Sequence, residues 1–388
     1  MPYDVVNSDE ARALATDPLS FLHVSKAEID LPPGTSLYTD EVYAKATANF
    51  VTLRRNAPLV MDETAGLYVY RLRMGAHVQT GIAGTFSIDE YEQGTIKKHE
   101  KTRKDKEDDR TRHIVELRAQ TGPVFLTYRA APAIDEVVTR ATSAAPLYDF
   151  SAADGVQHTL WRLDSPDARN LIGLFARVGA LYIADGHHRA ASAARARQTL
   201  RGRGEPTGDT FLAVAFPDDQ MQVMAYNRVV KDLAGHTPQS FLAAVRGVCD
   251  VTDGSGVPRG RGHVSMYLDG RWFSIALKPI EGGPPSPEAT ARQAADGLDV
   301  SRLQQQVIEP LLKVGDVRTD PRIDFVGGAR GTAELERVVD SGRAAVAFSM
   351  HPVGVDDLMA IADAGGIMPP KSTWFEPKLR DGLLSHVI

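Results

Sequence analysis

Residues 181–197 read LYIADGHHRAASAARAR, and no other stretch of the chain constrains its fold as tightly. An apolar run of strand length stops at a turn-forming Asp-Gly pair, and an alanine- and arginine-rich stretch of helical character follows. The segment before it adds to the pattern. Ser165 and Pro166 have the chemistry of a helix start, with Leu171, Ile172, Phe175 and Val178 on one face, and Gly179 turns the chain into the apolar run. Helix, strand, tight turn and helix in that order demand a sheet that receives the strand and covers both of its faces, which is an α/β arrangement.

At 388 residues the chain exceeds what one compact core normally holds, so two lobes are expected. Hydrophobic residues at 43% and charged residues at 24% suit an ordinary globular protein. A net charge of −6 opposes long-range steering toward a polyanion, so DNA is not an expected partner, although a local basic patch still suits phosphate. Cys249 is the single cysteine, which excludes an intramolecular disulfide and a thiolate metal cage and fits a reducing compartment. The amino terminus, MPYDVVNSDE, has neither a basic nor an apolar leader region, and no run approaches the ~20 apolar residues of a membrane span. A cytoplasmic protein without a membrane partner is expected.

Asn7 and Glu10 have the spacing of a capping pair before a short helix, and a second helix is predicted over about Asp40 to Asn56. Leu67 to Met74 and His77 to Ser87 read as a hairpin around Gly75 and Ala76, and Pro123 to Tyr128 as the next strand. Phe211 to Phe216 and Met221 to Tyr226 read as a hairpin around Pro217, Asp218 and Asp219. Another pairs Val264 to Leu268 with Trp272 to Leu277 through Asp269 and Gly270. Glu281 to Pro287, rich in Gly and Pro, is the predicted linker. It divides a core over 1–280 from an α/β unit over 288–388, where helices near Val300 to Lys313 and Thr332 to Asp340 alternate with strands Ile323 to Val326 and Ala344 to Ser349. No internal repeat is present.

Four segments carry candidate chemistry. In the first, the amide groups at the start of the helix after Gly186 form an anion site, Gly186 allows close approach of an anion, and Arg189 can fork onto phosphate oxygens. His187 and His188 can donate hydrogen bonds or move protons, and Asp185 can hold a magnesium ion, orient a histidine or simply cap the helix. The second, residues 94–110, concentrates Lys97, Lys98, Lys101, Arg103 and Lys104 around His99 and Glu100. It is either a solvated charge run or a loop that folds over phosphates with Glu100 as general base. In the third, Arg228 can reach a phosphate and Asn227 a sugar or metal-bound water, unless both merely close a turn. The fourth, IMPPKSTWFEPK at 367–378, places Lys371, Ser372 and Thr373 like the end of a P-loop but lacks its glycines. Its structural reading is an extended segment anchored by Trp374 and Phe375.

PYDV at 3–6, KHEKT at 98–102, DGHHR at 185–189, NRVV at 227–230 and MPPKSTWFEPK at 368–378 together resemble the bacterial and archaeal family catalogued as domain of unknown function number 1015. The resemblance extends over nearly the whole chain. It implies a mixed α/β fold with a core like that of the ParB and sulfiredoxin nucleotide-binding proteins, plus an additional α/β lobe. In that fold a Gly-x-x-Arg turn holds nucleotide phosphates, matched here by Gly186 and Arg189. Some members of the wider group are free L-serine kinases that make O-phospho-L-serine, with an Asp-Gly-His turn at the phosphates and a carboxylate as base. Carried over, Asp185, Gly186, His187 and Arg189 fall on that turn, and Glu100 is the expected carboxylate. Relatives usually carry a leading segment before PYDV; if that segment supplies an edge strand or part of the pocket, altered or lost activity is expected of a chain beginning with the motif.

The resulting expectation is a kinase for a small hydroxylated metabolite, using ATP or ADP, with CTP as a further candidate, and Mg2+ held by Asp185. Lys98, His99, Gly186, Arg189, Asn227, Arg228, Lys371, Ser372 and Thr373 would bind the nucleotide, while Glu100, Asp185, His187 and His188 would serve the reaction, with Glu100 or His187 accepting the hydroxyl proton. The alternative is a ParB-like nucleotide-gated switch or DNA-associated protein without kinase activity. A sulfiredoxin-like reductase needs a cysteine in the phosphate turn, where His187 and His188 stand. A homodimer is compatible with either reading.

Overall fold

The computed structural model describes residues 3–57, 59–279 and 291–388, and the predicted linker at 281–287 lies outside them. The described chain is mixed α/β and forms two compact units, Met1–Met221 with Pro377–Ile388, and Gln222–Glu376.

The first unit opens as its residues dictate. Asn7 caps the helix Ser8–Leu14 in a capping box with Glu10, and the amphipathic helix Asp40–Asn56 buries Val42, Ala46, Phe50 and Leu53. Strands β1 (Tyr68–Met74) and β2 (His77–Ser87) form the expected hairpin, with Met74 opposite His77. β3 (Ile96–Lys97) follows them in the chain, and β4 (Ala119–Gln120) precedes β5 (Val124–Tyr128). After these come β6 (Tyr148–Ser151), β7 (Gln157–Arg162), β8 (Leu181–Asp185) and β9 (Thr210–Pro217). Among the described residues, eight of these make one sheet in the order β3-β8-β5-β9-β2-β1-β7-β6. β8 runs parallel to β3, which pairs with Leu181 and Tyr182, and antiparallel to β5, which pairs with Tyr182, Ile183 and Asp185. The helix His187–Gly202 lays Ala190, Ala193, Ala194, Ala196 and Leu200 on the core. Alanine on that face permits close helix–sheet approach, which a larger residue would prevent.

Two local expectations change. The helix Ser165–Phe175 is capped by Asp164, whose carboxylate accepts the Asp167 N–H at 2.8 Å, leaving Ser165 as its first residue. Leu171 is buried while Ile172 is 62% exposed, because adjacent helical residues point about 100° apart. The hairpin predicted around Pro217–Asp219 is absent. β9 is already paired on both edges, with β2 and β5, so the chain beyond it has no edge there to take.

In the second unit, β10 (Gln222–Met224) pairs with a strand from the far end of the unit, Trp374–Glu376. β11 (Tyr226–Val230), β12 (Asp250–Asp253), β13 (His263–Leu268), β14 (Arg271–Ala276), β15 (Ile323–Gly327) and β16 (Val346–Ser349) form an antiparallel sheet ordered β12-β14-β13-β16-β11-β15, and Trp374–Glu376 is β17. The β13–β14 hairpin follows its Asp-Gly turn as predicted. It pairs edge to edge with β16, and β16 with β11, so backbone hydrogen bonding ties residues on both sides of the 281–287 stretch into one sheet. The division at that stretch therefore differs from the compact unit, which begins at Gln222. Helices Pro238–Val248 and Gly331–Asp340 bury Phe241, Val245 and Leu335. After Glu376 the chain rejoins the first unit, where β18 (His386–Val387) pairs with β4.

Candidate functional site

The corner after β8 is built by Gly186. Its φ of +92° is a backbone conformation that side chains with a Cβ avoid, and a Cβ there would meet the Arg189 guanidinium carbon at 3.3 Å and Val124 Cα at 3.4 Å. The Gly186 carbonyl accepts from the N–H groups of Arg189 and Ala190, starting the helix, and its own N–H donates to Asp185 Oδ1 at 2.8 Å. His187, His188 and Arg189 thus occupy the first turn of the helix.

Both imidazoles hold the 99–103 segment. His187 Nε2 accepts the His99 N–H at 3.4 Å, and His188 Nε2 accepts the Arg103 N–H at 3.0 Å. With Nε2 of His187 acting as acceptor, the hydrogen-bond network assigns its ring proton to Nδ1, which lies 3.9 Å from Glu100 Oε2. The His99 ring stands edge-on to His187, centroids 4.4 Å apart. Burial pushes the His99 pKa down to about 4, against the pull of Asp185 and the Ile183 carbonyl, and its Nδ1 is buried without a hydrogen-bond partner. Burial and the neighbouring His99 also hold His187 well below the ordinary imidazole range, so both rings are neutral at neutral pH.

Asp185 is paired with a residue the sequence reading passed over. Lys378 Nζ lies 2.8 Å from Asp185 Oδ2. Burial alone would raise the carboxyl pKa, but Lys378 and Arg189 outweigh it and hold the group well below the usual carboxylate range. Lys378 closes the MPPKSTWFEPK motif, so the signal was present, but the P-loop-like Lys371–Thr373 drew the reading. Arg189 donates to the Pro123 carbonyl, and with Tyr3, Arg110 and Thr121 it lines a cavity of about 30 Å³, space for a water molecule. Lys98 sits 4.0 Å above the Tyr91 ring centre, its pKa lowered by burial.

The first unit therefore brings together Lys98, His99, Glu100, Asp185, Gly186, His187, His188 and Arg189. The remaining candidates form a separate group in the second unit. Asn227 is buried and accepts the Met350 N–H at 3.0 Å. Arg228, 4% exposed, donates to the carbonyls of Tyr226 at 2.5 Å and Lys371 at 3.2 Å and lies over the Phe325 ring; burial lowers its pKa to about 10. Lys371 has a φ of +58° and its ammonium faces the Tyr226 ring, while the buried Ser372 hydroxyl donates to the Pro369 carbonyl at 2.6 Å. Thr373 leads into β17.

Asp185 does not fit a resident magnesium ion in this arrangement. Its two oxygens serve the Gly186 amide and the Lys378 ammonium, and among the described residues no group of three His, Cys, Asp or Glu side chains is arranged to hold a metal. Also among the described residues, no helix is long and apolar enough to cross a membrane.

The model of a family described as "Protein of unknown function (DUF1015)" matches residues 1–301. No curated protein matches the chain. Among solved structures, the chain is similar to a free serine kinase variant in complex with ADP, at 13% identity over 77% of this chain and 91% of that one, with a TM-score of 0.37. It is also similar to a C-terminally truncated SbnI from Staphylococcus aureus, at 11% identity over 77% and 85%, TM-score 0.41. A third is a conserved hypothetical protein from Pyrococcus furiosus, at 13% over 77% and 93%, TM-score 0.35. Likeness at this level says nothing of a shared reaction.

Proposed function

This chain belongs to the DUF1015 family of proteins of unknown function, and from that premise we propose that it is a nucleotide-dependent phosphotransferase acting on the hydroxyl of a small metabolite, with free L-serine as the first acceptor to test. One observation carries the reading. A carboxylate, Glu100, stands beside the Nδ1 of a buried neutral histidine at the start of a long helix, in a segment fastened there by backbone bonds to both His187 and His188.

The roles follow from that geometry. His187 cannot be the base, because its one acceptor nitrogen is already engaged; its Nδ1–H instead stands on the Glu100 side. Glu100 takes the acceptor's hydroxyl proton as that oxygen forms its bond to phosphorus, and the departing nucleotide keeps the bridging oxygen and its electron pair. The first-turn amides of the helix, with Arg189 and Lys98 nearby, neutralise phosphate charge. The motif resemblance supports the reading: Gly186 and Arg189 match a Gly-x-x-Arg phosphate turn, and Asp185, Gly186 and His187 match the Asp-Gly-His turn that makes serine the first acceptor to test. No step needs Asp185 as a metal ligand.

The test is direct. Purified protein incubated with ATP, ADP or CTP and a panel of hydroxy-amino acids is expected to yield a phosphate monoester by phosphorus NMR. Glu100→Gln should retain nucleotide affinity and lose turnover by about a hundredfold or more. Nucleotide binding without any phosphorylated product would favour the nucleotide-gated switch instead.

A further inference from the structure

Asp185 gathers two donors at the start of the helix, the Gly186 amide on one oxygen and the Lys378 ammonium on the other, each at 2.8 Å. An amide and a cation converging on one anionic oxygen pair are also the donors that a phosphate requires at a helix start. Lys378 arrives there from the far end of the chain, and the residues that follow it are fixed. Arg380 Nε donates to His158 Nε2 at 3.1 Å, and its Nη2 pairs with Asp154 at 2.5 Å. His158 is fully buried, and its Nδ1 meets the Tyr70 hydroxyl at 2.7 Å. Burial, and next the Arg380 charge, lower its pKa to about 4, so the ring is neutral and able to accept. Asp381 accepts the Tyr3 N–H, and the Gly382 N–H donates to the Thr121 carbonyl. Lys378 is 16% exposed, an ammonium held at one point rather than a mobile surface charge.

Cations and a helix start meet at this corner. Lys378 and Arg189 act on Asp185, Lys98 acts on His187 and is balanced by Glu92, and the helix start adds its own positive potential. Beside it, the buried His99 Nδ1 has no partner. We propose that Lys378 is a phosphate-binding residue of this corner, sharing its ammonium between Asp185 and the ligand, and that it makes the site select nucleoside di- and triphosphates over monophosphates. This rests on the nucleotide reading above.

Calorimetric titration of the full chain with ATP, ADP and AMP tests it. The wild type is expected to bind ATP and ADP at least about tenfold more tightly than AMP, and Lys378→Gln to lose about tenfold or more of ATP affinity with little change for AMP. Lys378→Arg, which keeps the charge, should retain most of the preference. Should Lys378→Gln fail to fold, the double variant Lys378→Gln, Asp185→Asn removes both charges together and leaves no unpaired buried ion. It too should lose the preference. If either variant keeps the ATP-to-AMP ratio, or the wild type binds ATP and AMP equally, the Lys378 proposal is overturned while the nucleotide reading stands. A wild type that binds none of the three overturns both.

Discussion

At the scale of single residues, the corner depends on a glycine whose conformation is unavailable to its neighbours in chemistry. Gly186→Ala would hold a Cβ at a φ of +92° and press it against the Arg189 guanidinium, so a loss of about 1–2 kcal/mol is expected. The denaturant midpoint measures it, and an unchanged midpoint would mean the turn relaxes. Asp-Gly-His-His-Arg was legible in the sequence because each residue's role in the turn is local. What each imidazole holds was not legible. Their partners, the His99 and Arg103 amides, lie 88 and 85 residues away, and hydrogen bonds across such distances leave no periodic trace.

The elements follow their patterns closely where the pattern is local and diverge where pairing is at issue. Asp40–Asn56 forms as predicted because its apolar spacing is helical throughout. The failed hairpin after β9 has the right turn residues but no unpaired strand edge, and strand pairing is decided by competition among all strands. That competition also explains Gly81 in β2. A Cβ there would lie 2.6 Å from the Ala215 carbonyl oxygen and 2.8 Å from the Phe216 ring, both in the adjoining strand β9. Gly81→Ala is expected to cost about 1–3 kcal/mol by overpacking, read as a lowered melting temperature. Full stability in the variant would show that β9 can shift to admit a methyl group.

For the whole molecule, pH is the sharpest lever. His99, His113 and His158 are buried, and burial lowers each pKa to about 4, whereas in the unfolded chain each returns to 6.5. Between those values the unfolded chain binds more protons. The neutral rings therefore favour folding fully above pH 6.5, and that contribution is lost as pH falls toward 4, by an order of 3 kcal/mol for each ring. The melting temperature should drop steeply over that window, and replacing His113 by Gln should flatten the drop. A flat profile from pH 7 to 4 would refute the buried neutral state.

From the sequence alone came the α/β class, the turn at 185–189, the cationic segment around Glu100 and the exclusion of an intramolecular disulfide, because these depend on residue type, spacing and counts. Tertiary structure decided that β13 and β14 join β16 in one sheet, that His187 Nδ1 stands 3.9 Å from Glu100, and that Lys378 meets Asp185. Each of those depends on which distant groups share a surface once the core has closed, and burial then sets both the protonation of the rings and the strength of the ion pair.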